Sequence, residues 1–80
     1  MRESGERSAE QELAARVALL SPREREVFDL VITGLLNKQI ADRLGTSERT
    51  IKAHRAAITD KLKVRSVAEM VSIASQLRIL

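Results

Sequence analysis

Two short helical patterns separated by a glycine-containing turn dominate the middle of this 80-residue chain. In the first pattern, "NKQIADRLG", Asn37 stands at the N-cap position, and Ile40, Ala41 and Leu44 recur at helical spacing. Gly45 is suited to end this helix because glycine tolerates a left-handed backbone. The second pattern, "TSERTIKAHRAAITDKLKV", follows at once. Helices of about eight and about sixteen residues, joined by a tight turn, are the sequence signature of a helix-turn-helix.

The preceding stretch, "SPREREVFDLVITG", predicts a well-defined helix. Ser21 and Glu24 have the spacing of a capping box, and Pro22 stands at the first helical position, where its missing N–H costs nothing. Gly34 is expected to end the helix. The capping box argues against the alternative that the β-branched run "VFDLVI" is a strand. The side chains expected in the core are Val27, Phe28, Val31 and Ile32.

The N-terminal segment is expected to be a linker. Residues 1–7 are polar and predict a tail, after which Ser8 and Gln11 have capping-box spacing and predict the start of a short helix. The expected architecture is therefore all-α, with a linker segment over residues 1–20 and a helix-turn-helix domain over residues 21–80.

The helix that begins near Ser47 places an apolar stripe beside a basic one. At about 100° per residue, Ile51, Ile58 and Leu62 fall in a narrow arc that must face the core. The neighbouring flank carries Lys52, Ala56, Thr59 and Lys63. The major groove of B-DNA, about 12 Å wide, admits one such helix. Small side chains would let the helix approach base edges, and the long basic ones could reach guanines or phosphates.

The start of that helix is a second place where phosphate binding is expected. Free N–H groups at a helix N-terminus carry a partial positive charge and attract anions. The residues around this end are Ser47, Arg49 and Thr50, and those at the start of the preceding helix are Asn37 and Lys38. Each of them alone could be an ordinary cap or a solvated cation, so the prediction depends on the whole set.

The distribution of charge agrees with a phosphate-binding surface. The chain has a net charge of +3, and residues 46–65 alone hold six basic and two acidic side chains. Residues 1–20 hold three basic and four acidic side chains instead. Clustered positive charge is the electrostatic footprint of nucleic-acid binding, although an ordinary solvated helix face remains the alternative.

Composition argues against several other classes of protein. Phe28 is the only aromatic residue, so the base stacking of single-strand binders is excluded. The chain has no cysteine and one histidine, His54, and it has no glycine-rich phosphate loop. We therefore expect no metal, no cofactor and no enzymatic activity. The absence of a long apolar run or a signal core predicts a cytoplasmic protein without a membrane span.

The last helix, opened by a second capping box at Ser66 and Glu69, has an apolar arc that covers about half its circumference. So wide an arc exceeds what one small core should need, and excess apolar surface often binds a partner. Coverage by the N-terminal helix is the alternative. The expected dimerisation residues are Val67, Met70, Val71, Ile73, Ala74 and Leu77. We expect Met70 and Ile73 to accept aspartate without loss of the fold.

Residues 20–66, "LSPREREVFDLVITGLLNKQIADRLGTSERTIKAHRAAITDKLKVRS", resemble the DNA-binding domain of LuxR/FixJ-type (NarL/FixJ) transcription regulators. They match the family pattern "L-[ST]-x-R-E-x-E-V-L … G-x-x-N-K-x-I-A-x-x-L-x-x-S-x-x-T-V-K-x-H … K-L-x-[VA]" nearly throughout. The resemblance implies a four-helix domain with scaffold, positioning, recognition and dimerisation helices. Phe28 and Ile51 replace the usual Leu and Val. Ala56 stands where some relatives carry a long polar residue, so their base preference does not transfer.

The resemblance also implies a role for individual residues. Those expected to face bases are Lys52, Ala53, Arg55 and Ala56. Those expected at the DNA backbone are Asn37, Lys38, Ser47, Thr50, His54 and Lys61, to which the helix geometry adds Arg49, Thr59 and Lys63. The expected partners are double-stranded DNA, a second copy of the chain and RNA polymerase. The segment "SAEQELAARVALL" resembles the linker of FixJ-type response regulators, which implies a receiver domain on the same full-length chain, and a naturally stand-alone regulator is the alternative.

Two other functions fit parts of the sequence. The helix-turn-helix could bind a protein, such as a polymerase subunit or a kinase, but its basic, alanine-rich helix lacks the aromatic anchors of protein interfaces. The opening "LSPREREVF" is shared loosely with sigma-factor-like proteins. The combination "NKQIA … TIKAH" favours the LuxR/FixJ-type interpretation.

Overall fold

A computed structural model describes the backbone of residues 2–80 and the side chains of residues 8–80, and this part of the chain contains five helices and no strand. The helices are α1 (Arg2–Ala18), α2 (Pro22–Val31), α3 (Asn37–Leu44), α4 (Glu48–Leu62) and α5 (Val67–Gln76). The all-α prediction is confirmed, and "VFDLVI" is helical rather than a strand. None of the described helices is long and apolar enough to cross a lipid bilayer.

The capping box predicted for α2 is present. The Ser21 hydroxyl oxygen accepts from the Glu24 N–H at 3.1 Å, and the Glu24 carboxylate accepts from the Ser21 N–H at 2.9 Å. The helix ends earlier than Gly34, because Ile32 is its C-cap. Gly34, with φ +93°, lies in the turn that follows and donates its N–H to the Val31 carbonyl at 3.0 Å.

The turn between α3 and α4 is formed by residues 45–47. Gly45 ends α3 in the left-handed conformation, and Ser47 caps α4 by accepting from the Thr50 N–H at 3.1 Å, as predicted. Asn37 is not the N-cap of α3, because Leu36 holds that position. The backbone amide of Leu36 donates to the Gln39 side-chain oxygen at 2.8 Å. Because Asn37 does not cap α3, its side chain is available for another contact.

The N-terminal helix starts well before Ser8, so Ser8 lies inside α1 and does not cap it. Arginine and glutamate, which make up most of the first seven residues, are good helix formers and allow the helix to extend. Met1 lies outside the described residues. At the other end of α1, Val17 and Leu20 are buried in the same core as the later helices.

The core lies around α4, which packs against α1, α2 and α3. The largest side chains with less than 2% exposure are Val27, Phe28, Val31, Ile40, Ile51, Ile58, Leu62 and Met70. The predicted buried stripes of α2 and α4 are therefore confirmed. Because three helices hold α4 from behind, its opposite face is presented on a rigid support.

Candidate nucleic-acid interface

The outer face of α4 combines exposed cations with exposed alanines. The exposed positions of α4 are Glu48, Arg49, Lys52, Ala53, Ala56 and Asp60, and its C-cap, Lys63, is exposed as well. Behind them, Ile51 and Ile58 have no exposed surface. Arg49, Lys52 and Lys63 share this face with the small side chains of Ala53 and Ala56, so the helix can approach another surface closely and still offer long donors.

The predicted phosphate-binding residues at the start of α4 also form its cap. The Ser47 hydroxyl donates to the Thr50 hydroxyl at 3.0 Å while accepting from the Thr50 N–H. Arg49 lies exposed beside them. Ser47 and Thr50 therefore contribute to the local structure in the free protein, whatever they bind.

Arg55 and Asn37 form a contact between α4 and α3. The guanidinium Nη1 of Arg55 donates to the Asn37 side-chain oxygen at 2.8 Å, and both residues are half-buried. Helical periodicity places Arg55 near the core edge of α4 but cannot show its partner, which lies eighteen positions earlier on another helix. The sequence identified both residues as candidates but missed their contact.

Lys61 lies on the opposite edge of α4 and contacts α2. Its ammonium group is 2.6 Å from the Glu24 carboxylate, and the Lys61 side chain keeps 35% exposure. The hydrogen bond from Lys61, followed by that from the Ser21 N–H, holds the pKa of the Glu24 carboxyl below its usual value. His54, on the same edge, and Thr59, on the α3 side, are half-buried.

An open groove lies at the end of α4. It is lined by Ala56, Thr59, Asp60, Lys63, Val64 and Arg65. Lys63 is the C-cap of α4 in the left-handed conformation. Arg65 was not among the predicted site residues, because it follows the end of the helical pattern and no periodicity applies to it. The groove brings Lys63 and Arg65 to one surface.

The residues predicted for dimerisation divide into two groups. Met70, Ile73 and Ala74 are at most 5% exposed and belong to the core. Val67 is 37% exposed, and Val71 and Leu77 are half-buried. The apolar arc of α5 is wide because most of it covers this domain's own core. The expectation that Met70 and Ile73 accept aspartate without loss of the fold is therefore wrong.

Comparison with known protein families identifies the family to which this helix-turn-helix belongs. The family model described as "Bacterial regulatory proteins, luxR family" matches residues 18–78. The chain belongs to the LuxR family. Its helix-turn-helix is thus a LuxR-type DNA-binding domain of a transcription regulator, as the sequence resemblance indicated.

Curated relatives of this LuxR-family chain include proteins named transcriptional regulatory proteins and response regulators. The chain is 48% identical over 64 residues to the transcriptional regulatory protein FixJ of Bradyrhizobium diazoefficiens, a match covering 80% of this chain and 31% of that protein. It is 46% identical to the C4-dicarboxylate transport transcriptional regulatory protein DctR of Rhodobacter capsulatus, covering 81% of this chain and 33% of that protein. The chain thus spans about a third of the length of the curated relatives it matches.

Two solved structures share the fold. Full-length FixJ from B. japonicum superposes with a TM-score of 0.87 at 41% identity, covering 98% of this chain and 38% of that one. The response regulator StyR superposes with a TM-score of 0.90 at 40% identity, covering 94% of this chain and 38% of that one. The likeness includes α1 as well as the four helices of the LuxR-type domain.

Proposed function

We propose that α4 enters the major groove of double-stranded DNA and reads a specific sequence. The observation that carries this proposal is the exposed face of α4, where Lys52 stands beside Ala53 and Ala56 while Ile51 and Ile58 are completely buried. A helix supported in this way can insert without rearrangement of the core. Its alanines permit close approach, and Lys52 can bond the O6 and N7 acceptors of guanine.

Contacts to the DNA backbone would supply most of the affinity and would make it dependent on salt. In this proposal Arg49 and Lys63, both exposed, bind phosphates at the two ends of α4. Lys38, exposed at the start of α3, binds a phosphate on the neighbouring wall of the groove. The further backbone candidates are Asn37, Ser47, Thr50, His54, Thr59 and Lys61. Arg65 joins them because it lines the same groove as Lys63.

The proposal includes recognition of a near-palindromic site by two copies of the chain. Two helix-turn-helix domains related by a two-fold axis would place their recognition helices about one DNA turn apart. Of the six residues predicted for dimerisation, Met70, Ile73 and Ala74 are buried, whereas Val67, Val71 and Leu77 keep surface that a second copy could cover. The dimer contact is accordingly assigned to these three residues.

The chain is proposed to be the effector part of a larger, phosphorylation-controlled response regulator in the cytoplasm. Support comes from relatives named response regulators, among them TmoT of Ectopseudomonas mendocina, at 45% identity over 84% of this chain and 30% of that protein. A receiver domain on the same polypeptide would then control DNA binding, and RNA polymerase is a candidate partner of the bound protein.

Selection of bound duplexes from a random DNA library, at two salt concentrations, tests this function. Enrichment of one site with two inverted halves is the expected result. Enrichment of a single half-site would contradict dimerisation in the isolated chain but not DNA reading. Binding without enrichment would contradict specific recognition. Failure to bind any duplex would overturn the proposal in favour of a protein partner.

A further inference from the structure

The contact between Arg55 and Asn37 fixes the orientation of both side chains. A guanidinium group has only donors, so the atom of Asn37 that faces Arg55 at 2.8 Å must be its carbonyl oxygen. The amide NH2 of Asn37 must therefore point away from this bond. Within residues 8–80, this is the one side-chain hydrogen bond that either residue makes.

The position of Arg55 on α4 separates it from the exposed face. At about 100° per residue, Arg55 lies only about 40° from Ile51 in the core stripe and about 100° from Ala56 on the outer face. Its half-buried state agrees with this position, whereas Lys52 and Ala56 are exposed. The Arg55 side chain thus extends sideways from α4 toward α3 rather than toward the floor of the DNA groove.

The same contact leaves several donors at one place. Arginine carries five N–H donors in a planar fork, of which Asn37 occupies one, and the Asn37 amide contributes two more N–H groups. Arginine forks of this kind match the oxygens of a phosphate group and bind them with two parallel hydrogen bonds. In a helix-turn-helix, the first of the two helices crosses the DNA backbone, and Asn37 is the first residue of that helix, α3.

We propose that Asn37 and Arg55 act together as a clamp on a single DNA phosphate, so that Arg55 does not read a base. This inference rests on the proposed DNA-binding function and replaces the expectation that Arg55 faces the bases. Asn37 holds the guanidinium at the wall of the groove, and both side chains donate to the phosphate oxygens. Base reading is then left to Lys52, Ala53 and Ala56.

The clamp is tested with variants that keep the fold. Arg55→Met keeps the aliphatic stem but removes every donor. It should weaken binding to all duplexes by a similar factor of about ten and lower the slope of log affinity against log salt by about one. Arg43→Ala is the matched control, since it removes a positive charge from the exposed last turn of α3. Affinities are measured on the duplex enriched from the library, on its single-base-pair variants and on an unrelated duplex.

Asn37→Asp separates a clamp from a purely structural contact. Aspartate still accepts from Arg55 and is favourable in the first turn of a helix, so this variant should unfold at or above the wild-type temperature. Its negative charge would repel a phosphate, and it should weaken DNA binding by about tenfold or more. If Asn37 only anchors Arg55, Asn37→Asp will bind DNA like the wild type, and the clamp is overturned.

The outcomes for Arg55 are equally distinct. If Arg55→Met relaxes preference at one base pair and leaves the unrelated duplex unaffected, Arg55 reads a base and the clamp is wrong. Wild-type protein that binds duplexes without enriching any sequence would contradict specific recognition, yet the salt slopes of the variants would still test the clamp. Wild-type protein that binds no duplex would overturn the proposed function and the clamp together.

Discussion

Glu24 of α2 and Lys61 of α4 form an ion pair in which the lysine nitrogen lies 2.6 Å from a carboxylate oxygen. The same oxygen accepts the N–H of Ser21 at 2.9 Å. One buried carboxylate therefore completes the capping box of α2 and also holds the last turn of α4 against α2. The orientation of α4 is coupled in this way to the start of α2.

Replacing Glu24 with glutamine should lower the free energy of unfolding by about 1–2 kcal/mol, because a hydrogen bond to a charged group is lost while the cap can be kept. Denaturant unfolding measures this change. Glu26→Gln is the matched control, since Glu26 is exposed and its nitrogen–oxygen distance to Arg23 is 3.7 Å. The control should change stability by less than about 0.5 kcal/mol. Equal effects of the two substitutions would contradict a special role for Glu24.

The same ion pair should make stability depend on pH in the acid range. Lys61, and after it the Ser21 N–H, lower the pKa of Glu24 in the folded state below the ordinary value of 4.5, against the opposing effect of burial. A carboxyl whose folded-state pKa is lowered stabilises the protein above its unfolded-state pKa and loses that contribution as pH falls through the folded-state value. The stability difference between wild type and Glu24→Gln should therefore be full at neutral pH and shrink in acid. A difference that stayed constant into acid would be the contrary result.

Local features of the sequence predicted several helix ends, because capping depends on residues close together in the chain, but the caps expected at Ser8 and Gly34 were wrong. Ser21, Glu24, Gly45 and Ser47 occupy the roles that their spacing indicated. Asn37 is a further exception, because the N-cap position of α3 is taken by Leu36, which has no polar side chain. The backbone amide of Leu36 donates to the Gln39 side chain instead.

Contacts between helices could not be predicted in the same way. Glu24 and Lys61 are 37 positions apart, and periodicity shows only that Lys61 lies near the core edge of α4. The arc of α5 was misjudged for the same reason. A helical wheel shows that Met70 and Ile73 share an apolar side but not that the rest of this domain already covers it. The burial of these two residues requires the packed structure.

Lys52→Ala should cost about 1–3 kcal/mol of DNA-binding free energy on the enriched duplex and should relax preference at one base position, because Lys52 is the exposed cation beside the alanines of α4. Titration of the enriched duplex and its single-base-pair variants measures both effects. Lys38→Ala is the comparison, and it should weaken all duplexes alike. A uniform loss for Lys52→Ala would place Lys52 on a phosphate.

Substitutions on α5 should separate folding from pairing. Met70→Ala should destabilise the monomer by about 2–5 kcal/mol, because it opens a cavity in the core. Val67→Asp, at the exposed first residue of α5, should leave unfolding unchanged but abolish cooperative binding to a two-half site. Unfolding curves and binding to one-half and two-half duplexes measure these effects. Retained cooperativity in Val67→Asp would show that the copies pair elsewhere.

The boundary between the linker segment and the DNA-binding domain can be tested with two neighbouring leucines. Leu20 is 9% exposed within the core, whereas Leu19 is 63% exposed. Nearby on α1, Arg16 donates to the carbonyl of Leu62 at the end of α4 at 3.5 Å. Leu20→Ala should therefore lower the free energy of unfolding by about 2 kcal/mol or more, and Leu19→Ala by less than about 0.5 kcal/mol.

Removal of residues 1–20 should destabilise the remaining domain by more than Leu20→Ala does, because the buried Val17 and the contact from Arg16 are lost as well. Denaturant unfolding of the shortened chain provides the measurement. A shortened chain as stable as the full chain would support a domain that begins at residue 21. The expected loss would instead make the end of α1 a structural part of the DNA-binding domain, through which changes in the linker can reach the recognition helix.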